Sequence, residues 1–464
     1  MNVQAVGPAE VSTLYNDEPT LEDLLGRAEL ASKIGETIAK CAPPQVFGIH
    51  GEWGSGKTSL LHQVQLFLSG ECPAQTKQGD ECIEIARRLW TEEWKRRQGI
   101  TVVWFEAWRY QYEQAPVVAL LQEIRAQLSW QLKLGRALSK TTQVAIESAL
   151  LSLDSLTKMV GIQGGSALAA TVQKTGEKWE QSDLSYGLPS YMIRQHLERA
   201  IEQVLGKGKR TGARLVVLVD DLDRCNGEAA YKLLEGIKIY LNLPSCVFVL
   251  GMNRHVVEDA VGNHINSLDK SRQSLAKAYL EKLCQNIYYL PVLQNPALYL
   301  STLLLNANMP DVAVAEIQQI VTDSECLPYN PRKVKGFANV LIRFLDRLGG
   351  RLGDGPVRQR NLQLVVLMAN LYLYHDELYR MILAKPSFYN LVRQWANCED
   401  VGHPLLTQLD RPLSKVKEDD RAPVPEDRLE DAFIDPVQED VFRVQVLVRQ
   451  LGDVTIDEIL GSII

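Results

Sequence analysis

The chain has 464 residues, of which 46% are hydrophobic and 23% are charged. This size and balance are typical of a soluble globular protein of about three domains, and they exclude a collagen-like, coiled-coil or disordered chain. The net charge is −7, but ten acids and two arginines lie between Glu418 and Asp440, which leaves the rest of the chain at about +1. A nearly neutral body gives no charge argument for nucleic-acid binding.

The eight cysteines are spread through the chain without a CxxC pair or a CxxH step. This spacing argues against a tetrahedral zinc site and fits a reducing compartment. Met1 to Pro19 lacks the basic and apolar regions of a secretory signal. The most apolar stretch, Ala145 to Val172, is interrupted by charged residues and glycines, so it is not predicted to span a membrane. We therefore expect a cytoplasmic protein without membrane attachment.

Short β-type runs alternate with helical stretches up to about residue 290. These runs are rich in Val, Ile and Phe and are apolar on both faces, as the strands of a central parallel sheet are. The predicted strands are Val46–His50, Ile100–Glu106, Leu215–Asp220, Cys246–Gly251 and Ile287–Leu290. The pattern predicts an α/β fold, a parallel sheet flanked by helices, followed by a predominantly helical C-terminal domain.

The expected domain boundaries follow the same change of pattern. The sheet domain is predicted over 1–294, with helical insertions at about 70–99 and 140–190, and a helical second domain over 295–410. The acidic stretch, within 411–440, contains three prolines and is predicted to be a flexible connector, with a partner-docking tail as the alternative. A C-terminal segment follows over 441–464. Further helical or ambiguous stretches are Val334–Leu348, Leu362–Tyr374 and Val441–Leu451.

One glycine-rich segment carries a strong chemical signal. Its sequence, Gly51-Glu52-Trp53-Gly54-Ser55-Gly56-Lys57-Thr58, fits G-x-x-x-x-G-K-[ST] and lies between an apolar strand and the helical run Thr58–Leu68. In such a loop the backbone N–H groups wrap a phosphate, the lysine bridges the β and γ phosphates, and the threonine hydroxyl binds Mg²⁺. We therefore predict that residues 51–59, including Ser59, bind a nucleotide, with Thr58 as a metal ligand.

A distant carboxylate is needed to complete such a metal site. The apolar run from Leu215 ends in Asp220 and Asp221, where the strand is expected to emerge beside the glycine-rich loop. Asp220 is predicted to hold Mg²⁺ through water, and Asp221 to orient or deprotonate the attacking water. Arg224 follows closely, either as a cation that stabilises the transition state or as the salt-bridge partner of Asp223 or Asp221.

Together these motifs resemble the KAP family of P-loop NTPases, relatives of the AAA+ and STAND groups. The resemblance covers roughly Leu21 to Leu345. Other stretches that match the family pattern are Trp104–Tyr110, Leu234–Lys238, Cys246–Leu250, Tyr279–Lys282 and Asn330–Lys335.

The resemblance implies roles for several further residues. Asn253 takes the sensor position that reads the γ-phosphate. Arg332 takes the position of the second sensor, which a helical lid domain over 295–410 would bring to the phosphates. Arg332 could also be an ordinary helix-capping residue. Gly26 and Arg27 match a segment that lies against the adenine in AAA+ relatives, which favours ATP over GTP, and no guanine-reading N-K-x-D sequence occurs. Glu106 stands where the family often has Asn.

A second candidate binding feature surrounds Trp90 and Trp94. The two indoles are four residues apart among arginines and lysines, a mixture that could stack on and neutralise a nucleic-acid strand. The simpler interpretation is an amphipathic helix that buries both indoles and turns its cations to solvent.

The sequence therefore predicts an Mg²⁺-dependent ATPase that acts as a nucleotide-controlled switch or assembly ATPase, with a protein partner or self-assembly. The family resemblance makes a role in prokaryotic anti-phage defence or signalling an expectation. Two alternatives remain, a nucleotide-locked binding module with little turnover and a nucleic-acid-dependent translocase, and the neutral charge does not favour the second.

Overall fold

The computed structural model describes residues 14–72, 79–113, 116–135, 213–240, 243–264, 272–384, 388–397 and 436–451, together with 198, 201 and 205. The chain divides into two compact units. One is Pro19–Pro291, and the other combines the described residues of Met1–Glu18 and Val292–Ile464. The stretch Ala145 to Val172, the predicted insertion at 140–190 and most of the acidic connector lie outside the described residues.

The unit Pro19–Pro291 is built on a five-stranded, fully parallel sheet with the order β2-β3-β4-β1-β5. Its elements are α1 (Ala28–Lys40), β1 (Gln45–His50), α2 (Lys57–Ser69), α3 (Gly79–Leu89), β2 (Ile100–Glu106), α4 (Pro116–Gly135), β3 (Arg214–Asp220), α5 (Gly227–Tyr240), β4 (Cys246–Met252), α6 (Arg254–His264), α7 (Arg272–Leu283) and β5 (Asn286–Tyr289). Short 3-10 turns follow β2 and β3. The predicted parallel sheet and its flanking helices are confirmed, and the five strands agree with the predicted ranges to within one residue at each end.

Helices cover both faces of the sheet, which explains why the central strands are apolar throughout. Alternate residues of β3 enter different cores: Val216 and Leu218 pack with α1 and α2, and Val217 and Val219 pack with α4 and α5. All seven residues of β3 and of β4 are buried. Side chains that alternate across a strand and are buried on both faces give the continuous hydrophobic runs of a parallel sheet.

The sheet order determines which strand ends meet. β4 lies between β1 and β3, with His50 of β1 beside Met252 and Val219 of β3 beside Leu250. Because the strands are parallel, the residues that follow β1, β3 and β4 emerge along one edge. The loop at Gly51 therefore shares this edge with the acids after β3.

The second unit is helical in its described part. It contains α8 (Pro296–Asn306), α9 (Asp311–Ser324), α10 (Pro331–Leu348), α11 (Gly355–Tyr374), α12 (Asp376–Ala384), α13 (Phe388–Asn397) and α14 (Pro436–Leu451). The central helix α11 is buried almost all round from Leu364 to Leu371, as expected of a helix enclosed by others. α14 begins at Pro436, within the predicted connector, where proline suits the first turn of a helix.

A short N-terminal segment belongs to this helical unit. The backbone N–H of Tyr15 donates to Asn339 Oδ1, and Asn339 Nδ2 donates back to the Tyr15 carbonyl, both at 2.7 Å. The Tyr15 hydroxyl donates to the carbonyl of Leu303 at 2.5 Å. These bonds join the segment to α8 and α10 of the same unit, although more than 280 residues separate the partners in sequence.

Two features differ from the sequence-based expectations. The helix α3 ends at Leu89, so Trp90 and Trp94 do not lie on one amphipathic helix. Trp94 is buried and Trp90 half-buried, the rings lie 5.9 Å apart, and Trp90 Nε1 donates to the Ala28 carbonyl, so both indoles serve the core. In addition, Cys72 and Cys82 are joined by a disulfide with a Cα–Cα distance of 5.7 Å, a pairing that the sequence alone did not indicate.

Of the helices in the described ranges, none combines the length and apolar character needed to cross a membrane.

Candidate nucleotide-binding site

The glycine-rich loop connects β1 directly to α2 at the carboxyl edge of the sheet. Gly54 and Gly56 have positive φ angles of 77° and 91°, a conformation that favours glycine. A Cβ at Gly51 would lie 2.6 Å from Ser55 Oγ, so a larger residue at this position would force the Ser55 side chain to move. Gly56 is the N-cap of α2, and the loop therefore presents the positive end of that helix dipole at its centre.

Lys57 occupies the first turn of α2, where a cation is unfavourable in the absence of a negative partner. Its side chain is almost buried, and its Nζ lies 2.7 Å from the Gly51 carbonyl, 3.3 Å from the Glu52 carbonyl and 3.1 Å from Asp223 Oδ2. Three oxygens therefore surround the three N–H donors of the ammonium. These contacts hold the ammonium group of Lys57 against the backbone of the glycine-rich loop.

Asp220, the last residue of β3, is 2% exposed. Burial and the neighbouring Asp221 raise the pKa of Asp220 to about 7, against a hydrogen bond from Thr58 and the charge of Lys57, which lower it. Its Oδ1 is buried without a hydrogen-bond partner. A buried carboxylate with an unpaired oxygen beside a threonine hydroxyl has the donor set that Mg²⁺ prefers, so Thr58 and Asp220 fit the predicted metal.

Asp221 adopts the left-handed conformation, with φ 55° and ψ 32°, as the chain leaves β3. Among residues other than glycine, this conformation is uncommon and is tolerated best by Asp and Asn. Arg224 Nε lies 2.8 Å from Asp221 Oδ1, so of the two carboxylate partners considered for Arg224, the structure selects Asp221. Burial raises the pKa of Asp221, and Arg224 opposes this rise.

Asp223 is the most connected acid of the site, and the ion pair with Arg224 that the sequence allowed for it is made by Asp221 instead. It is 3% exposed, and its Oδ2 accepts hydrogen bonds from Trp53 Nε1 at 3.0 Å and from the backbone N–H of Asn253 at 2.9 Å. The same oxygen pairs with Lys57. The sequence signal for this role is a third acid in a short turn after a buried strand, but its partners come from two other segments.

Asn253 follows β4 and is hydrogen-bonded both to the glycine-rich loop and to the turn after β3, and its sensor role stays a prediction. Its Nδ2 donates to Glu52 Oε2 at 2.9 Å, and its Oδ1 accepts from the backbone N–H of His255 at 3.1 Å. The structure thus brings Glu52, Asn253 and Asp223 into one hydrogen-bonded network around Lys57.

Gly26 and Arg27 precede α1, with Gly26 at a positive φ of 65°. The Arg27 guanidinium is buried and donates to the carbonyl of Ser55 and, at 2.8 Å, to that of Pro291. Asp23 accepts from the backbone N–H groups of Arg27 and Ala28. Arg27 therefore supports the backbone of the glycine-rich loop. The sequence predicted a position against the adenine for Arg27 and did not predict this contact with the loop.

Two further predicted residues have structural partners. Ser59 Oγ accepts from the backbone N–H of Thr20 at 3.2 Å. Arg332, in the helical unit, lies in the first turn of α10, and its Nε is 2.8 Å from Asp17 Oδ1. The helix cap itself is Asn330, whose Oδ1 accepts from the backbone N–H groups of Arg332 and Lys333. The capping alternative for Arg332 is thus wrong, and its sensor role stays a prediction.

Comparison with protein-family models gives one match that covers most of the chain. The model described as the KAP family P-loop domain matches residues 27–346. The match includes the glycine-rich loop, the acid that ends β3 and the two acids of the following turn, Asn253 and Arg332. Comparison with individual curated proteins gives no significant match. The residues matched, the parallel sheet and the loop around Lys57 agree with one another, and the chain belongs to the KAP family of P-loop NTPases.

Proposed function

We propose that this chain is an Mg²⁺-dependent ATPase that acts as a nucleotide-controlled switch or assembly ATPase. The observation that carries the proposal is the juxtaposition of a phosphate-binding loop with a buried, incompletely bonded carboxylate. The buried ammonium of Lys57 and the N-terminus of α2 offer positive charge to phosphates. Asp220, with its unpaired Oδ1 and its contact with Thr58, offers an oxygen ligand to the accompanying cation.

In this mechanism the backbone N–H groups of the loop and Lys57 bind and orient the β and γ phosphates. Thr58, and Asp220 through water, would hold Mg²⁺, and the bound ion would neutralise charge on the phosphate oxygens. Asp221 orients the attacking water and accepts its proton, and its partner Arg224 fixes the direction of the carboxylate. Asn253 is assigned as the residue that reads the γ-phosphate.

The switch part of the proposal concerns the helical unit. We assign Arg332 as the cation through which α10 responds to the γ-phosphate. A switch needs a contact whose strength differs between its two nucleotide states, and an arginine directed to the γ-phosphate supplies one. The Asp17 carboxylate, which now pairs with Arg332, is its competitor within the helical unit.

The alternative of a nucleotide-locked binding module has one specific observation in its favour. The ammonium of Lys57 is fully engaged with protein oxygens, and Asp221 is engaged with Arg224. A site whose charges are compensated internally suits slow or partner-dependent turnover. Steady-state hydrolysis with and without candidate partners separates the two functions. A role in defence or signalling complexes is proposed from the family resemblance alone.

The direct test is to change Lys57 to Ala and to follow ATP binding. Loss of the ammonium removes the contact to two phosphate oxygens, so we expect most of the binding to disappear. In the wild type, ATP at a hundredfold excess over Kd should stabilise the fold by about 2.7 kcal/mol, and thermal denaturation with and without MgATP measures this.

The matched control is Lys33→Ala, which removes an exposed lysine on α1 that pairs with Glu29. This variant should keep the full stabilisation by ATP. Equal shifts in wild type and Lys57→Ala, or no shift in wild type, would contradict the proposed function.

A further inference from the structure

We infer that Asp223 is an internal latch that occupies Lys57 and closes the phosphate-binding loop until a nucleotide displaces it. This inference rests on the proposed nucleotide binding and adds a regulatory role for a residue that the proposed mechanism does not use. In it, Asp223 is a positioning residue and a competitor of the nucleotide, distinct from the metal ligand Asp220 and the base Asp221.

The first support is the geometry around a single oxygen atom. Asp223 Oδ2 lies 3.1 Å from Lys57 Nζ, 3.0 Å from Trp53 Nε1 and 2.9 Å from the backbone nitrogen of Asn253. Lys57 begins α2, Trp53 belongs to the phosphate-binding loop, and Asn253 is the residue after β4. One carboxylate therefore ties the loop to the turn after β3 and to the neighbouring strand.

The second support is burial. The side chains of Lys57 and Asp223 are 8% and 1% exposed, so their pairing is little weakened by water or salt. By contrast, the ion pair between Arg224 and Asp221 has an arginine that is 43% exposed. Of these two ion pairs, the buried one connects the turn after β3 to Lys57, whereas the exposed one stays within the turn.

The third support is charge. If Lys57 contacts phosphates, a negative carboxylate at 3.1 Å from its ammonium would stand close to those phosphates and repel them. The buried Asp223 Oδ1 has no hydrogen-bond partner, so this side chain is held chiefly through Oδ2. A nucleotide that takes over Lys57 therefore also removes the main charged partner of Asp223, and the carboxylate must move away or exchange its partner.

The same contact connects the latch to a spectroscopic reporter. Trp53 lies within the loop, is 58% exposed, and donates its indole N–H to the latch oxygen. Release of Asp223 breaks this hydrogen bond. The state of the latch should thus be visible in the emission of Trp53, taken as the difference between the wild type and Trp53→Phe because the chain has eight tryptophans.

The decisive experiment measures ADP binding in EDTA, where the loss of a metal ligand has no effect. Asp223→Asn keeps the size of the side chain but removes the charge that holds Lys57. Since close pairs of opposite charge in protein interfaces couple by at least about 1.5 kcal/mol, we expect metal-free ADP to bind about tenfold more tightly or better. The affinity for ADP rises because Asp223 no longer has to be displaced from Lys57 before ADP can bind.

Glu228→Gln is the matched control, since it removes the same charge from an exposed glutamate of α5 that pairs with Lys232. It should leave the affinity for ADP unchanged. An equal gain in both variants would reveal a general effect of net charge and would overturn the latch. Weaker ADP binding by Asp223→Asn would also overturn it, and a loss confined to Mg²⁺-nucleotide would make Asp223 a metal ligand instead.

Trp53→Phe provides a second variant should Asp223→Asn fold poorly. It removes one hydrogen bond to the latch and leaves the ion pair with Lys57, so we expect a smaller gain in metal-free ADP affinity.

The emission test needs no nucleotide. Trp53 emission in nucleotide-free Asp223→Leu, which removes the acceptor of the indole N–H as well as the charge, should differ from that of the wild type, and identical emission would overturn the latch. A wild type that binds no nucleotide at all would instead refute the proposed function, so the two failures are distinguishable.

Discussion

Asp220 illustrates how a position at the end of a buried strand changes the pKa of a carboxyl group. A strand that is buried on both faces carries the acid out of water, and burial together with Asp221 raises the pKa of Asp220 from 3.8 to about 7. Near neutral pH the carboxyl group is therefore partly protonated, and a bound cation would favour its charged form. This property suits a metal ligand, and it has a measurable cost for the fold.

The expected cost is a pH-dependent loss of stability in the metal-free protein. Because the folded-state pKa lies above the unfolded value, the unfolded chain releases the proton first, and the contribution of Asp220 to the free energy of unfolding falls as the pH rises from about 4 to about 7. The buried His62, whose pKa is lowered to about 4, contributes in the opposite direction, so the effect of Asp220 is read as a difference between variants. Urea unfolding in EDTA measures the free energy of unfolding of the wild type and of Asp220→Asn between these values. The wild type should lose stability relative to Asp220→Asn as the pH rises.

Asp259→Asn, which changes an exposed carboxylate on α6, should keep the wild-type slope. A stability difference between the wild type and Asp220→Asn that does not change with pH would show that Asp220 does not titrate in this range.

Asp221 lies one residue further on and is predicted to act on water. Asp221→Asn should bind MgATP as the wild type does but hydrolyse it about 10² to 10⁴ times more slowly, the usual contribution of a general base. Parallel measurements of nucleotide affinity and phosphate release test this expectation. Turnover at the wild-type rate would exclude Asp221 as the base.

The contact with Arg224 adds a pH signature. Because Arg224 lowers the pKa of Asp221, its removal should raise that pKa further. The acid limb of the hydrolysis profile of Arg224→Ala should therefore move to higher pH, whereas a loss of rate without such movement would favour the transition-state role.

At the scale of elements, the first turn of α10 combines an N-cap, a salt bridge and the predicted sensor. Asn330 fixes the start of the helix, and Asp17 holds Arg332 through an ion pair of 2.8 Å whose carboxylate is 63% exposed. Exposed ion pairs contribute little to stability, so this one can be exchanged at low cost. That makes the turn a suitable place for a nucleotide-dependent contact.

The corresponding prediction concerns residues 330–337. If Arg332 reads the γ-phosphate, ATP should protect this segment from hydrogen exchange more strongly than ADP does, and Arg332→Ala should abolish the difference. Arg343→Ala, on the same helix and stacked against Tyr372, is the matched control. Equal protection by both nucleotides in the wild type would remove the mechanism of the switch.

At the scale of the whole molecule, the question is whether one chain completes its own site. P-loop enzymes gain about 10³ to 10⁵ in rate from an added arginine, and this arginine can come from the same chain or from a neighbour. We expect Arg332 to act within its own chain, so the rate per chain should not depend on protein concentration. A rate that rises with concentration, together with a growing particle mass, would instead indicate an arginine supplied by assembly.

The sequence by itself determined the elements and the identity of the main chemical groups. Apolar runs on both faces of a strand report burial directly, which is why β2 and β3 could be placed to within a residue. The loop around Lys57 needs glycines because its backbone adopts positive φ angles. Such a requirement can be recognised from a short run of consecutive residues. The amphipathic helix considered for Trp90 and Trp94 was wrong, because α3 ends at Leu89. The two indoles nevertheless pack together against the core, as that interpretation expected.

Only the tertiary structure decided which charges meet. Asp221 and Asp223 are near neighbours in sequence, yet Asp221 pairs with Arg224, whereas Asp223 pairs with Lys57, which is more than 160 residues away. Arg27 likewise finds the carbonyls of Ser55 and Pro291. The physical reason is that a buried charge must find its partner in space, and the partner is set by the order of strands in the sheet and by the turns that leave them.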